Sequence, residues 1–180
     1  LRAARVGVGT SILIYGATGA IGSAAVQLAR FMGARVTAVC GSAHLDIVAS
    51  LGADRVMDYT STEFTTLSEK YDVVFDAVGK LSWSQCKPLL TDKGCYISTE
   101  LGPRYENPFL ALLTPLLGGK RVLFPLPSIT REDVAYLRSL VIEGRFRPLI
   151  DRIMPLDDIV DAYRYVETGQ KIGNVVLRVD

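Results

Sequence analysis

Three glycines, each separated from the next by two residues, are the positions whose type and spacing most clearly suggest chemistry. Gly16 allows a tight turn after a strand, Gly19 removes a Cβ that would collide with phosphates, and Gly22 lets a helix pack on the strand. A dinucleotide pyrophosphate would then bind free N–H groups at the positive end of that helix. A purely architectural turn is the alternative. The predicted dinucleotide-binding turn comprises Gly16, Ala17, Thr18, Gly19, Ala20, Ile21 and Gly22.

The elements around this turn alternate between strand and helix. An apolar run over 12–15 precedes the glycines, and apolar residues at helical spacing follow over 20–32. Further strands are predicted over 35–40, 55–58, 71–77, 94–99 and 120–126. Apolar strands separated by helices indicate an α/β fold with a parallel sheet buried on both faces. The glycine turn favours the doubly wound Rossmann arrangement, with strand order 3-2-1-4-5-6 and the ligand at the carboxyl rim.

The remaining segments are predicted mostly as helices. Ser42 is expected to cap a short helix that ends at Leu51. Other helices are predicted over 82–90, 109–117, 131–143 and 156–168, with an extended segment over 148–154 and a last strand over 173–179.

The end of the second strand suggests which dinucleotide binds. NAD sites usually place Asp or Glu there, about 20 residues beyond the glycines, to accept from the ribose 2′-hydroxyl. Here the strand continues into Cys40, Gly41, Ser42, Ala43 and His44, and Asp46 lies well inside the next helix. The missing acid favours NADP(H) over NAD(H), because a carboxylate would repel the 2′-phosphate. The predicted contacts at this tip are Cys40, Gly41, Ser42 and His44.

Two further side chains are candidates for the adenosine end of the cofactor. Tyr59 follows the third strand and would flank the ribose, and Lys171 would pair with a phosphate. Each interpretation has an alternative: Tyr59 would equally cover the sheet edge, and His44 would equally be a surface helix residue. No Arg stands at the second strand tip to form a two-pronged contact with the phosphate.

Composition excludes several other functions. Twenty Lys and Arg nearly balance 19 Asp and Glu, so the net charge of +1 provides no basic surface for nucleic acid. No apolar run reaches the roughly 18 residues of a membrane span, and the polar start of the sequence does not predict a signal peptide. Cys40, Cys86 and Cys95 lack zinc-ligand spacing, so no metal is predicted. We expect a cytoplasmic location, and the absence of an initiator Met predicts that the chain begins inside a longer polypeptide.

Five stretches, in this order and spacing, resemble one known family. They cover 13–29, 36–40, 51–59, 71–79 and 173–177. Together they resemble the zinc-independent, quinone-oxidoreductase-like branch of the medium-chain dehydrogenase/reductase superfamily. The resemblance implies a dinucleotide-binding domain over 1–145. It also implies a C-terminal return segment over 146–180 that packs on an N-terminal GroES-like substrate domain, which is absent from this chain.

The resemblance also implies a reaction and further site residues. The reaction is hydride transfer between NADPH and a quinone, an enone or an alcohol/carbonyl pair, with the small-molecule substrate bound by the longer protein. A homodimer through the edge strand over 121–126 is a further implication. No residue of the chain is singled out as a catalytic acid or base. The implied nicotinamide contacts are Ala77, Val78, Gly79, Ser98, Thr99, Phe124, Leu126 and Asn174.

Three other protein classes share a similar glycine turn or sheet. A short-chain reductase would need Tyr-x-x-x-Lys, and none of the eight tyrosines has Lys four residues later. A non-catalytic NADP-binding sensor of the atypical short-chain type would lack that motif as well, and it is the main alternative function. A methyltransferase would want an acid at the second strand tip, where none is found.

Overall fold

A six-stranded parallel sheet forms the centre of the molecule. The computed structural model describes residues 1–126 and 128–179 of the 180-residue chain. The strands lie in the order β3-β2-β1-β4-β5-β6, which confirms the predicted doubly wound arrangement. They are β1 (Ser11–Tyr15), β2 (Arg35–Cys40), β3 (Arg55–Asp58), β4 (Tyr71–Asp76), β5 (Leu90–Ser98) and β6 (Arg121–Leu123).

Helices cover this sheet on both faces. On β1, Ile12 and Ile14 belong to one buried apolar cluster, which includes Val26 of the first helix, and Leu13 belongs to the other. Successive side chains of a strand point to opposite faces, so burial on both sides explains why the strand is continuously apolar. The helices of the chain are α1 (Ala20–Phe31), α2 (Leu45–Ser50), α3 (Trp83–Cys86), α4 (Glu106–Leu117), α5 (Arg131–Ile142) and α6 (Ile159–Glu167).

The last two strands of the sheet differ most from the sequence prediction. β5 begins at Leu90, four residues before the predicted start, and β6 covers only Arg121–Leu123 of the predicted 120–126. Pro125 explains the short β6, because proline has no backbone N–H for a strand ladder. The edge strand is therefore short.

A second, separate sheet follows near the end of the chain. β7 (Ile150–Pro155) and β8 (Asn174–Arg178) pair in parallel, with α6 between them in sequence. The extended segments were predicted, but their pairing with each other was not. We call residues 150–178 the C-terminal unit. That residues 146–180 pack on a separate substrate domain stays a prediction. Asp180, the last residue of that segment, lies outside the described residues.

All three cysteines are buried and free. Burial, with a smaller contribution from the charge of Asp58, raises the pKa of the Cys40 thiol to about 11. Burial also raises the pKa of Cys95 to about 11 and raises that of Cys86 further. Over residues 1–126 and 128–179, no helix is long and apolar enough to cross a membrane.

Candidate functional site

The glycine turn adopts the geometry that its spacing predicted. Gly16 has φ of +80°, a left-handed conformation that glycine adopts without strain. Gly22 lies so close to the turn that an added Cβ would be 2.1 Å from the Gly16 carbonyl oxygen. The N–H groups of Gly16 and Ala17 both donate to the Val39 carbonyl, at 3.0 and 3.1 Å. Ala17 is also fully buried, so it has no free amide to offer a phosphate.

The start of α1 is open in the way that an anion site requires. Gly19 is the N-cap residue, no side chain caps the helix, and its first turn contains no acidic residue. A Cβ added to Gly19 would meet only the Gly16 carbonyl oxygen, at 3.5 Å. The backbone therefore leaves space beside Gly19, and the first-turn amides at 20–22 carry the positive end of the helix dipole. These features fit a dinucleotide pyrophosphate.

The loop after β4 is held against the glycine turn by a buried carboxylate. Asp76 is fully buried and accepts N–H bonds from Val78 and Gly79 on Oδ1 and from Leu81 on Oδ2, at 2.8–3.1 Å. A Cβ on Gly16 would lie 2.0 Å from Cγ2 of Val78, so the two loops are in contact. Sequence reasoning did not single out Asp76, although an Asp at a strand end followed by a glycine loop is a signal for such a turn.

The loop after β5 closes over the β4 loop. A Cβ on Gly79 would lie 2.2 Å from Cγ of Glu100, so only glycine fits there. The Ser98 hydroxyl is buried and accepts from the Glu100 N–H at 3.1 Å, whereas Thr99 is exposed. The structure therefore brings Gly16, Val78, Gly79 and Ser98 into one continuous rim. Ala77 extends the same ladder by donating its N–H to the Tyr15 carbonyl at 3.1 Å.

The tips of β2 and β3 meet at a polar cluster that the sequence analysis did not foresee. The Ser42 hydroxyl donates to Oδ2 of Asp58 at 2.6 Å and lies 2.8 Å from the Thr60 hydroxyl. The predicted capping role of Ser42 is therefore wrong: residues 42–44 form a 3-10 turn without a side-chain cap, and the Ser42 hydroxyl donates a hydrogen bond to Asp58 instead. The register that pairs Cys40 with Asp58 causes this, and single-strand reasoning does not reveal it.

Tyr59 lies directly over the tip of β2. A Cβ on Gly41 would be 3.3 Å from the Tyr59 hydroxyl, and the Tyr59 ring centroid is 6.0 Å from that of Tyr15. Both rings line a cleft of about 520 Å³ that also includes Phe64 and Lys80. The two rings are tilted by 47° to each other, and together with the neighbouring polar cluster they are suited to contact a base next to its ribose.

The loop before β8 bonds directly to the glycine turn. The Gly173 N–H donates to the Thr18 carbonyl at 2.6 Å, and Gly19 and Gly173 form an isolated parallel bridge. Asn174 donates both its N–H and its Nδ2 to the Leu149 carbonyl, at 2.8 and 2.9 Å. Lys171 donates one of its three Nζ protons to the Gly173 carbonyl at 2.7 Å, within its own loop.

The other predicted contacts are more scattered. His44 is partly exposed beside the Ser42 turn, and Ile21 is half exposed on α1. Phe124 is partly buried just after β6, and Leu126 is 77% exposed. Within residues 1–126 and 128–179, no hydrogen bond joins Phe124 or Leu126 to the glycine turn. Their cofactor contacts stay predictions, as do those of the other candidates.

The described part of the chain has no group of three or more His, Cys, Asp or Glu that could hold a metal ion. The expectation of metal-free chemistry stays a prediction.

Comparison with known proteins identifies similar sequences over most of the chain. The family model described as zinc-binding dehydrogenase matches residues 51–177. The chloroplastic quinone-oxidoreductase QR1 of Triphysaria versicolor is 36% identical over 172 residues, which cover 93% of this chain and 52% of that protein. The chloroplastic NADPH-dependent alkenal/one oxidoreductase of Arabidopsis thaliana is 31% identical, covering 94% of this chain and 40% of that protein.

A solved structure shows the same similarity in three dimensions. The quinone oxidoreductase of Coxiella burnetii superposes with a TM-score of 0.87 at 29% identity, covering all of this chain and 56% of that one. The chain spans about half the length of the curated relatives it matches.

Proposed function

The chain belongs to the zinc-binding dehydrogenase family, in the quinone-oxidoreductase-like branch of the medium-chain dehydrogenase/reductase superfamily, and on that premise we propose that it binds NADP(H) for hydride transfer. The substrate would be a quinone, an enone or an alcohol/carbonyl pair. The observation that carries this proposal is the glycine turn. Its open side at Gly19, the uncapped start of α1 and the loops at 77–79 and 171–174 converge on one rim.

The residues of this rim would bind and orient the cofactor. The first-turn amides of α1 would hold the pyrophosphate, and the Tyr15–Tyr59 wall would contact the adenine. Asp76 would keep Val78 and Gly79 where the nicotinamide is expected, because it fixes both amides. When bound, the nicotinamide supplies the hydride, and the chain supplies orientation and a site from which water is excluded.

The preference for NADP(H) is supported by the β2 tip, which contains no acidic residue between Cys40 and His44. One relative is named as NADPH-dependent. The relatives' names favour quinones and alkenals or alkenones as the substrate class. We further propose zinc-independent chemistry, with substrate contacts from a segment that corresponds to the rest of the relatives' length.

A homodimer through the edge of the sheet is also part of this proposal. Pairing of β6 with a second copy is supported by its position at the sheet edge, beside exposed Leu116 and Leu117 on α4. Sedimentation over a wide concentration range tests it, and a monomer throughout would contradict it.

The cytoplasm stays the predicted compartment, while two of the compared relatives are named chloroplastic. Imaging of a tagged full-length protein in its own cells tests that location.

The sharpest test of dinucleotide binding is Gly19→Ala. Gly19 has φ of −69° and ψ of 169°, which alanine adopts easily, and its Cβ would have room within the protein. The added methyl group would occupy the space that the pyrophosphate needs. Calorimetric titration should show NADPH binding by the unchanged chain and binding weakened at least about tenfold, or roughly 1.4 kcal/mol, by Gly19→Ala.

Gly7→Ala is the matched control, because nothing lies within 4 Å of a Cβ there and the position is outside the site. It should bind NADPH like the unchanged chain, and both variants should unfold at similar temperatures. Equal affinity in all three proteins would contradict the placement of the pyrophosphate. A chain that binds neither NADPH nor NADH would contradict the proposed function itself.

A further inference from the structure

The acid that the β2 tip lacks is supplied by the neighbouring strand. We propose that Asp58, at the end of β3, sets how strongly the site discriminates between NADP(H) and NAD(H), by opposing the 2′-phosphate. This inference rests on the proposed dinucleotide function, and it makes the preference for NADPH smaller than the β2 sequence alone predicts.

The register of the sheet brings this carboxylate to the β2 tip. Asp58 is paired with Cys40, and the next residue continues the parallel ladder, since the Tyr59 N–H donates to the Cys40 carbonyl at 3.0 Å. The Asp58 side chain then reaches Ser42, two residues beyond the paired position, with 2.6 Å between Oδ2 and the Ser42 hydroxyl. Ser42 is one of the four cofactor contacts that the sequence predicts at this tip.

The carboxylate stays negatively charged under ordinary conditions. Hydrogen bonds from the side chains of Ser42 and Thr60, and from the Thr60 backbone N–H, lower the pKa of Asp58 below its usual value. These groups stabilise the charged form. A 2′-phosphate beside Ser42 would therefore face a full negative charge from β3, although β2 itself has none.

The hydroxyl protons of Ser42 and Thr60 are already used in hydrogen bonds within the cluster. Ser42 and Thr60 have one hydroxyl proton each, and three short contacts compete for these two protons. The contacts are Ser42 to Asp58 at 2.6 Å, Thr60 to Asp58 at 2.7 Å, and Ser42 to Thr60 at 2.8 Å. Neither hydroxyl can donate to a phosphate without breaking one of these contacts, whereas the Ser42 oxygen can still accept from a ribose hydroxyl.

The cluster thus favours the unphosphorylated ribose in two ways. It presents a negative charge, and it presents hydroxyl oxygens whose remaining capacity is to accept. Lys171, a predicted phosphate partner, donates one of its three Nζ protons to the Gly173 carbonyl at 2.7 Å, which ties the ammonium to the loop before β8.

The test is the ratio of dissociation constants for NADH and NADPH, measured by calorimetry on the full 180-residue chain and on Asp58→Asn. The amide keeps the size of the side chain and an oxygen for the Thr60 N–H, but it removes the charge and releases the Ser42 proton. We expect the preference for NADPH to rise about tenfold, mainly through tighter NADPH binding. Thermal unfolding of both proteins checks that the fold is retained.

Asp46→Asn is the control for a general effect of charge. Asp46 lies in the first turn of α2, and within the described residues no hydrogen bond ties it to Ser42. Loss of the Asp46 charge should leave the ratio of the NADH and NADPH dissociation constants unchanged. An equal change in both variants, or no change in Asp58→Asn, would overturn this inference while leaving the proposed function intact. A chain that binds neither dinucleotide would overturn the proposed function, and this inference with it.

Discussion

The central sheet and the C-terminal unit bury their apolar side chains to very different degrees. Ile12, Leu13 and Ile14 of β1 are completely buried, whereas Ile153 of β7 is 61% exposed and Tyr163 of α6 is 64% exposed. The central sheet therefore covers its own apolar surface from both sides. The Gly173 N–H bond to the Thr18 carbonyl joins the C-terminal unit to the glycine turn, and just before the unit the Arg147 backbone exchanges two hydrogen bonds with the Gln27 side chain of α1. The candidate site lies where a sheet with a closed apolar core meets a unit whose apolar side chains are largely exposed.

A pair of truncations measures this difference most directly. Leu13→Ala should lower the free energy of unfolding by about 3 kcal/mol, because it opens a cavity in a closed core. Ile153→Ala should change it by less than about 0.5 kcal/mol, because its side chain is mostly in solvent. Urea unfolding followed by circular dichroism gives both values. Similar losses in the two variants would mean that the C-terminal unit is part of the same closed core.

A smaller loss of stability is expected from a substitution at Gly173, where the loop before β8 bonds to the glycine turn. Gly173 has φ of +59°, and a Cβ there would lie 2.2 Å from the Leu149 carbonyl oxygen. Gly173→Ala should therefore loosen the C-terminal unit by about 2 kcal/mol without unfolding the central sheet. Hydrogen exchange should become at least roughly tenfold faster at the Asn174 amide and stay unchanged in β1.

Gly169→Ala provides the matched control for that experiment. Gly169 has φ of +69°, but nothing lies within 4 Å of an added Cβ. The two variants share the backbone strain and differ in the collision with Leu149. Equal exchange in both would show that the collision contributes nothing to the attachment.

The smallest expected effect is a loss of stability of the central sheet at low pH, through the Asp72 carboxyl. Burial would raise the pKa of the Asp72 carboxyl, but hydrogen bonds from Ser11 and Thr91, with the charge of Arg35, lower it below 3.8 overall. A lowered pKa stabilises the folded state fully above the unfolded value, and this stabilisation is lost as the pH falls through the folded value. Between about pH 5 and pH 3 the unchanged chain should lose more stability than Asp72→Asn, as measured by urea unfolding. Parallel losses would contradict this role for Asp72.

The sequence predicted the central sheet well because its elements have strong local signals. β2 and β3 have the predicted bounds, and each is preceded by a glycine turn at Gly33 or Gly52. The glycine turn was recognised from its spacing together with the predicted strand before it and the predicted helix after it. The predicted end of β6 at 126 was too late, because the effect of Pro125 on a strand ladder was not weighed.

The parts that were missed depend on contacts between distant segments. Asp58 reaches Ser42 only because β2 and β3 pair in one register, and Asp76 matters because the loop after it folds back onto its carboxylate. The pairing of β7 with β8 joins segments about 20 residues apart, on either side of a helix, and each segment alone resembles an ordinary strand. Pattern reading along the chain identifies elements, but it does not identify partners.

The buried thiols have a practical consequence for labelling chemistry. Alkylating reagents and maleimide dyes attack the thiolate, and Cys40, Cys86 and Cys95 are all buried with raised pKa values. The native chain should therefore react slowly at neutral pH. A single cysteine introduced at an exposed position, such as Tyr163→Cys, would accept a fluorophore with little background, so that distances to the glycine turn become accessible to spectroscopy without removal of any native cysteine.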